Sequence, residues 1–72
     1  IQGQSILFYG TDLTGSTLKG ALLDQASMQL STLSACDLSG SSLIQAQMNE
    51  AIMQNTQLKD CNLTYANLSK AL

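Results

Sequence analysis

A large apolar residue recurs at every fifth position of this 72-residue chain. The series runs without interruption over thirteen central positions, which are Phe8, Leu13, Leu18, Leu23, Met28, Leu33, Leu38, Leu43, Met48, Met53, Leu58, Leu63 and Leu68. Because a repeat this short cannot bury its own apolar side chain, it must stack on further copies of itself. The period therefore predicts a repeat architecture whose structural core consists of these thirteen side chains.

The period excludes an α-helix and a flat strand. On an α-helix, five residues advance about 500°, so successive central residues point about 140° apart and form no common face. On an extended strand, an odd spacing sends alternate central residues to opposite faces of the strand. A chain that turns once in each repeat directs every central residue towards one inner axis.

The other positions of the repeat support this phase. From Thr11 to Ala71, the position two before each centre holds only Ala, Ser, Thr or Cys, as expected for a second inward residue where space is scarce. The remaining three positions carry all three basic and all five acidic residues of the chain. Gly10, Gly15, Gly20 and Gly40 share the position two after the centre, where glycine relieves the strain of a turn.

Several repeats read as small residue, Asp or Asn, Leu and two variable residues. The clearest examples are Cys36-Asp37-Leu38-Ser39-Gly40, Cys61-Asn62-Leu63-Thr64-Tyr65 and Ala66-Asn67-Leu68-Ser69-Lys70. These units resemble the A(D/N)LxX unit of the pentapeptide-repeat family. The resemblance covers nearly the whole chain and is weakest over residues 1–5, where Gly3 stands in place of a large residue.

The resemblance implies an all-β fold, a right-handed quadrilateral parallel β-helix (solenoid) with one repeat per side and about 20 residues per coil. The period alone would also suit a three-sided coil. We expect residues 1–72 to form a single pentapeptide-repeat β-helix of about three and a half coils, as a fragment of a longer array or protein.

A 20-residue coil predicts which inner residues stack on one another. The four expected columns are Phe8, Met28, Met48 and Leu68; Leu13, Leu33 and Met53; Leu18, Leu38 and Leu58; and Leu23, Leu43 and Leu63. The two thiols fall in different inner columns, Cys36 with Ser16 and Thr56, and Cys61 with Ala21 and Ser41. We therefore expect no disulfide and no redox role for them.

The composition argues against catalysis and against several classes of partner. The chain has no His, and its scattered carboxylates predict no catalytic residues, no metal site and no cofactor, so we expect no enzyme. A net charge of −2 without a basic patch predicts no direct binding of nucleic acid. No run of apolar residues is long enough for a membrane span.

Some outward positions hold apolar residues. Leu30, Ile52 and Leu72 are expected at one corner of consecutive coils, as a possible interaction patch for a protein partner or a flanking domain, although ordinary surface apolarity explains them as well. Lys19 and Lys59 are expected in one outer column with Ser39 between them, either as a weak anion site or as a solvated face.

These features favour a non-enzymatic structural or protein-interaction module, a rigid scaffold with a neutral polar surface. The resemblance implies two alternatives: a DNA-mimicking protein that binds the topoisomerase gyrase through an acidic rod, and the β-helix domain of a bacterial secreted effector such as a ubiquitin-ligase effector. We expect a cytoplasmic location, or secretion into a host cell for an effector. The oligomeric state stays open at this point.

Overall fold

Tight turns at a five-residue spacing define the architecture. In the computed structural model, which describes residues 7–72, the carbonyl of every central residue from Phe8 to Leu68 accepts a hydrogen bond from the N–H three residues later. The third residue of each turn has a positive φ, between 57° and 72°. Such a φ is the mark of a type II turn. The chain therefore bends once in each repeat, just after the central residue.

Isolated parallel bridges set the length of the coil. They join residues 20 positions apart: Leu7–Ser27, Asp12–Thr32, Thr17–Asp37, Leu22–Ser42, Ser27–Gln47, Thr32–Ile52, Asp37–Gln57, Ser42–Asn62 and Gln47–Asn67. One coil thus contains four repeats and four turns, which confirms the four-sided β-helix and excludes the three-sided one. Over residues 7–72, the regular structure consists of these single-residue bridges and turns, with no longer strand and no helix.

Backbone hydrogen bonds, both between coils and within turns, satisfy most of the backbone amides. Around Leu38, the amides of Leu38 and Gly40 donate forward to Gln57 O and Lys59 O, at 2.9 and 2.8 Å. The amide of Asp37 donates back to Ser16 O, at 2.9 Å. The amides of Cys36 and Ser41 close turns onto Leu33 O and Leu38 O, both at 3.0 Å. Four of the five amides in a repeat are therefore satisfied by backbone, and only the residue after the centre needs another acceptor.

The inner columns form a continuous core in the middle coils. Leu18 is 7% exposed, and the central residues from Leu23 to Met48 are fully buried. The first and last coils are less covered, since Phe8, Leu13, Met53, Leu58 and Leu63 pack against this core while only partly buried. Leu68 differs from the expected core position, because it keeps 39% of its surface exposed in the last coil, which is covered on one side only by the described residues.

Small polar residues are accommodated inside because their hydroxyl groups bond to central carbonyls. Ser31 Oγ donates to Met28 O and Ser41 Oγ donates to Leu38 O, each at 2.6 Å. Thr56 Oγ1 donates to Leu33 O of the preceding coil, at 2.7 Å. A buried hydroxyl that finds a partner avoids the cost of desolvation without a hydrogen bond, so Ser and Thr can replace Ala at this position. The first six residues of the expected domain lie outside the described residues.

Candidate interaction surface

The interior is filled by side chains, so contacts with other molecules fall to the outward positions of each repeat. Two places on this surface stand out from the general run of Ser, Thr, Asn and Gln. We call the first the leucine corner, defined by Leu30, Ile52 and Leu72. We call the second the lysine cleft, an open depression lined by Lys19, Asp37, Ser39, Gly40, Gln57, Lys59 and Asp60.

The leucine corner spans consecutive coils. Ile52 bridges Thr32 in the coil before it. Leu72 lies beside Ile52 in the coil after it, because Leu72 N donates to Ala51 O at 3.0 Å and Met53 N donates to Leu72 O at 2.6 Å. The exposed fractions are 47% for Leu30, 37% for Ile52 and 71% for Leu72. These side chains are therefore accessible to a partner rather than packed into the core.

Leu30 occupies a corner that disfavours it. Its φ is +58°, a left-handed conformation that is costly for most side chains other than Gly, Asn and Asp. A polar residue or glycine would satisfy the turn as well or better, as at Gly10 one coil earlier. Eight other non-glycine residues, among them Ala35 and Tyr65, adopt the same conformation at this position of the repeat, so the solenoid tolerates the strain at several turns.

The lysine cleft forms because long and short side chains alternate along one face. The coil ladder aligns Lys19, Ser39 and Lys59, since Gly20 N donates to Ser39 O at 2.9 Å and Gly40 N donates to Lys59 O at 2.8 Å. Ser39 is short and Gly40 has no side chain, and a Cβ added at Gly40 would meet no atom within 4 Å. The two lysines thus rise on either side of a low floor.

Carboxylates balance the charge of the lysine cleft. Asp37 Oδ1 accepts a hydrogen bond from Ser39 N at 3.0 Å. Hydrogen bonding to Ser39 is the main cause that lowers the pKa of the Asp37 carboxyl, and the charge of Lys19 contributes a smaller part in the same direction. Two lysines face two aspartates, Asp37 and Asp60, so the cleft carries both signs and no formal net charge.

Asp and Asn at the position before the centre cap the backbone, a structural role that was not predicted from the sequence. Their side-chain oxygens accept the amide that the coil ladder leaves free, two residues later. The pairs are Thr14 N to Asp12 Oδ1 at 3.0 Å, Ser39 N to Asp37 Oδ1 at 3.0 Å, Thr64 N to Asn62 Oδ1 at 3.1 Å, and Ser69 N to Asn67 Oδ1 at 3.0 Å.

The signal for these caps was present in the sequence. All four segments read Asp or Asn, Leu, then Ser or Thr. Hydroxyl groups add to these caps, because Thr14 Oγ1 and Thr64 Oγ1 donate to the same oxygen as the amide and the Ser39 side chain also hydrogen-bonds to Asp37. The hydrogen bonds from Thr14 also lower the pKa of the Asp12 carboxyl.

Asp24 caps a neighbouring coil instead of its own. Its Oδ1 accepts hydrogen bonds from Ser42 Oγ at 2.5 Å and from Ile44 N at 3.2 Å. On the same side of the solenoid, Gln25 Nε2 donates to Gln45 Oε1 at 3.1 Å. Polar side chains thus tie adjacent coils together outside the backbone ladder.

The two cysteines are free thiols in separate inner columns. Cys36 is buried, and this burial, with the negative charge of Asp37, raises the pKa of its thiol. Cys61 is partly buried, and its Sγ lies 3.3 Å from Ser41 Oγ of the preceding coil. A raised pKa disfavours the reactive thiolate at Cys36.

We searched the described residues for a metal-binding cluster and for a membrane-spanning helix. Over residues 7–72, no three His, Cys, Asp or Glu side chains are arranged to hold a metal ion. In the same part of the chain, no helix has the length and apolar character needed to cross a bilayer. The sequence predicted no catalytic or cofactor-binding residue, and the two surfaces described above are the features that remain as candidates.

The chain is similar to known pentapeptide-repeat proteins in both sequence pattern and fold. The profile of pentapeptide repeats matches residues 7–43 and 41–71, with eight copies of the repeat. Among solved structures, the pentapeptide repeat protein Rfr23 from the cyanobacterium Cyanothece 51142 superposes with a TM-score of 0.76 at 21% sequence identity, over 97% of this chain and 54% of that one. This similarity in fold identifies the four-sided coil as the right-handed quadrilateral β-helix.

A second solved structure is HetL, a pentapeptide repeat protein involved in heterocyst differentiation regulation from the cyanobacterium Nostoc sp. strain PCC 7120. Its TM-score is 0.45 at 28% identity, over 97% of this chain and 37% of that one. The chain therefore spans about half or less of the length of these two proteins. The search of curated proteins gave no match.

Proposed function

Because the chain belongs to the pentapeptide-repeat family, we propose that it is a non-enzymatic structural or protein-interaction module, a rigid solenoid scaffold with a neutral polar surface. At 20 residues per coil, its 72 residues correspond to about three and a half coils. The observation that carries the proposal is the backbone hydrogen-bond ladder over the described residues, which sets the height and side of the solenoid at which each outward residue is attached.

Rigidity supports a role as a scaffold. In the middle coils, four amides of each repeat are held by backbone carbonyls, and the fifth is capped by a side chain in several repeats. Ordered backbone lowers the entropy lost when a surface binds its partner. A solenoid of this kind presents side chains in straight columns at about 4.8 Å intervals along its axis.

The leucine corner is the surface we propose for a protein partner or a flanking domain. Apolar side chains that are exposed next to one another gain free energy when a partner removes them from water, at about 25 cal/mol per Å². Leu72 beside Ile52 gives such a pair, and Leu30 adds a third exposed apolar side chain two residues before Thr32, which bridges Ile52.

The arrangement of carboxylates gives no support to the alternative of a DNA mimic. Such a mimic needs rows of negative charge that imitate a phosphate backbone. The ladder puts each acidic residue in a different outer column: Asp12, Asp24, Asp37, Glu50 and Asp60. We therefore place the interaction with a partner on apolar side chains rather than on charge.

The experiment replaces Ile52 by Asp in the full-length protein that carries this chain and measures its association with its partner or its neighbouring domain. Asp fits the backbone at this position, since Asp12 and Asp37 occupy it in other repeats and cap the chain. Gln47→Asp is the matched control, because Gln47 occupies the same position of another repeat between Ser27 and Asn67.

We expect Ile52→Asp to weaken association about tenfold, from the loss of one buried apolar side chain, and Gln47→Asp to change it less than about twofold. Thermal unfolding should show that both variants remain folded. Equal effects of the two substitutions, or no effect of Ile52→Asp, would contradict the proposed surface.

A further inference from the structure

The lysine cleft is separate from the leucine corner and holds half of the charged residues of the chain: Lys19, Asp37, Lys59 and Asp60. Among the described residues, the Lys59 ammonium group has no hydrogen-bond or ion-pair partner. Ser39, on the floor of the cleft, hydrogen-bonds to Asp37 through both its amide and its side chain. The cleft thus offers an unpaired ammonium group beside a low floor.

The spacing of the two lysines is set by the coils. Lys19 and Lys59 are two coils apart in one column, so their Cα atoms lie about 10 Å apart at a coil spacing of about 4.8 Å. In an extended peptide, side chains two residues apart point the same way and lie about 6.7 Å apart. The flexible stems of two lysines can close the remaining difference.

We propose that the lysine cleft binds an extended acidic segment of a protein partner, whose two carboxylates, two residues apart, contact the ammonium groups of Lys19 and Lys59. The residue between the carboxylates lies over Ser39 and Gly40, where the surface is lowest.

The carboxylates of the cleft explain why the partner is a peptide rather than a nucleic acid. Asp37 and Asp60 repel a chain of closely spaced phosphates, and the chain as a whole has a net charge of −2. A peptide with only two carboxylates can place them next to the lysines and keep neutral groups near the aspartates. This complementarity selects for the spacing of charges and not for total negative charge.

The test is a titration of the 15N-labelled chain with acetyl-Glu-Ser-Glu-amide, followed by two-dimensional NMR. We expect the largest shifts at the amides of Ser39, Gly40 and Lys59, with binding in the millimolar range because each exposed ion pair contributes less than about 1 kcal/mol. The neutral peptide acetyl-Gln-Ser-Gln-amide should give no such shifts.

Three variants make the test specific. Lys19→Gln and Lys59→Gln should each weaken binding about threefold, whereas Lys70→Gln, which removes the same charge outside the cleft, should leave it unchanged. Asp37→Asn should strengthen binding about threefold, because asparagine can keep the cap on Ser39 N, as Asn62 does for Thr64, while it removes a repelling charge.

Three results would overturn the proposal. An equal effect of Lys70→Gln and Lys59→Gln would mean that the peptide senses only the overall charge. Equal binding of the neutral peptide would exclude the carboxylates as the groups recognised. Inorganic phosphate that displaced the acidic peptide at equal concentration and ionic strength would mean that the cleft accepts any oxyanion and does not recognise a peptide.

Discussion

Met48 and Leu68 hold the same position of the repeat in the same inner column, one coil apart, yet Met48 is fully buried and Leu68 is 39% exposed. The local structures are alike, since both residues begin a turn with a hydrogen bond to the amide three residues later. Only Met48 has a described coil on each side of it. In a solenoid, burial is therefore decided by the neighbouring coils and not by the repeat itself.

The largest expected effect tests this difference directly. Leu38→Asp in a middle coil should abolish folding, because an unpaired carboxylate inside the core costs several kcal/mol and a domain of this size has a total stability of about 4–11 kcal/mol. Leu68→Asp should leave a cooperative unfolding transition at a lower temperature. Far-UV circular dichroism during heating measures both, and a folded, β-rich Leu38→Asp variant would refute the assignment of the core.

A smaller effect concerns the corners of the coils. Ala35 and Asn55 share one corner column, with φ values of +57° and +60°. Ala35→Gly should stabilise the protein by about 1 kcal/mol, since alanine is strained in this conformation and glycine is not. Asn55→Gly should change the stability little, because asparagine tolerates a positive φ.

Urea unfolding of the two glycine variants measures the difference, and the slope of the transition should stay constant because the exposed surface is unchanged. If both substitutions were equally stabilising, alanine would be no more strained than asparagine at this corner. If Ala35→Gly were destabilising, the entropy gained by the unfolded chain would outweigh the relief of strain.

The smallest expected effect concerns the side-chain caps, and it compares Asp37 in a middle coil with Asn62 in a later coil. Asp37 caps a middle coil and has a lowered pKa, so the folded state favours its ionised form. This contribution is complete above the usual pKa of 3.8 and is lost as the pH falls through the lower pKa of the folded state. Asn62 provides the same cap in a later coil without titrating.

Asp37→Asn should therefore reduce the loss of thermal stability between neutral pH and pH values below 3.8. Asn62→Asp is the reverse change and should increase that loss, because it introduces a titrating cap into the last coil. Melting temperatures measured across this pH range would give the result. Identical pH profiles for the wild type and Asp37→Asn would mean that the cap contributes nothing to the pH dependence.

Much of the fold could be predicted from residue periodicity. The large residue at every fifth position identified the inner face, and the small residue two positions earlier identified the second inward site, as at Ala46 before Met48. Once the coil is known to have 20 residues, the same repeat pattern also predicts which inner residues lie next to one another in adjacent coils, such as Cys61 beside Ser41. The number of sides did not follow from the period, since any turn of suitable angle would preserve it.

The candidate surfaces were harder to predict because they depend on contacts between coils. The sequence placed Lys19 and Lys59 in one column, but it gave no reason to add Asp37 and Asp60 to the same cleft. It also left unexplained why Asp and Asn precede so many centres, since the free amide that they cap becomes evident only after every other amide has been assigned to the ladder.

The sequence by itself determined the phase of the repeat, which side chains point inwards and the family of the fold, because each of these depends on residues within a few positions of one another. The tertiary structure decided how far each central residue is buried, which amides remain for caps, and which outward side chains meet across coils. Those properties depend on residues 20 positions apart, whose contacts exist only when one coil lies on the next.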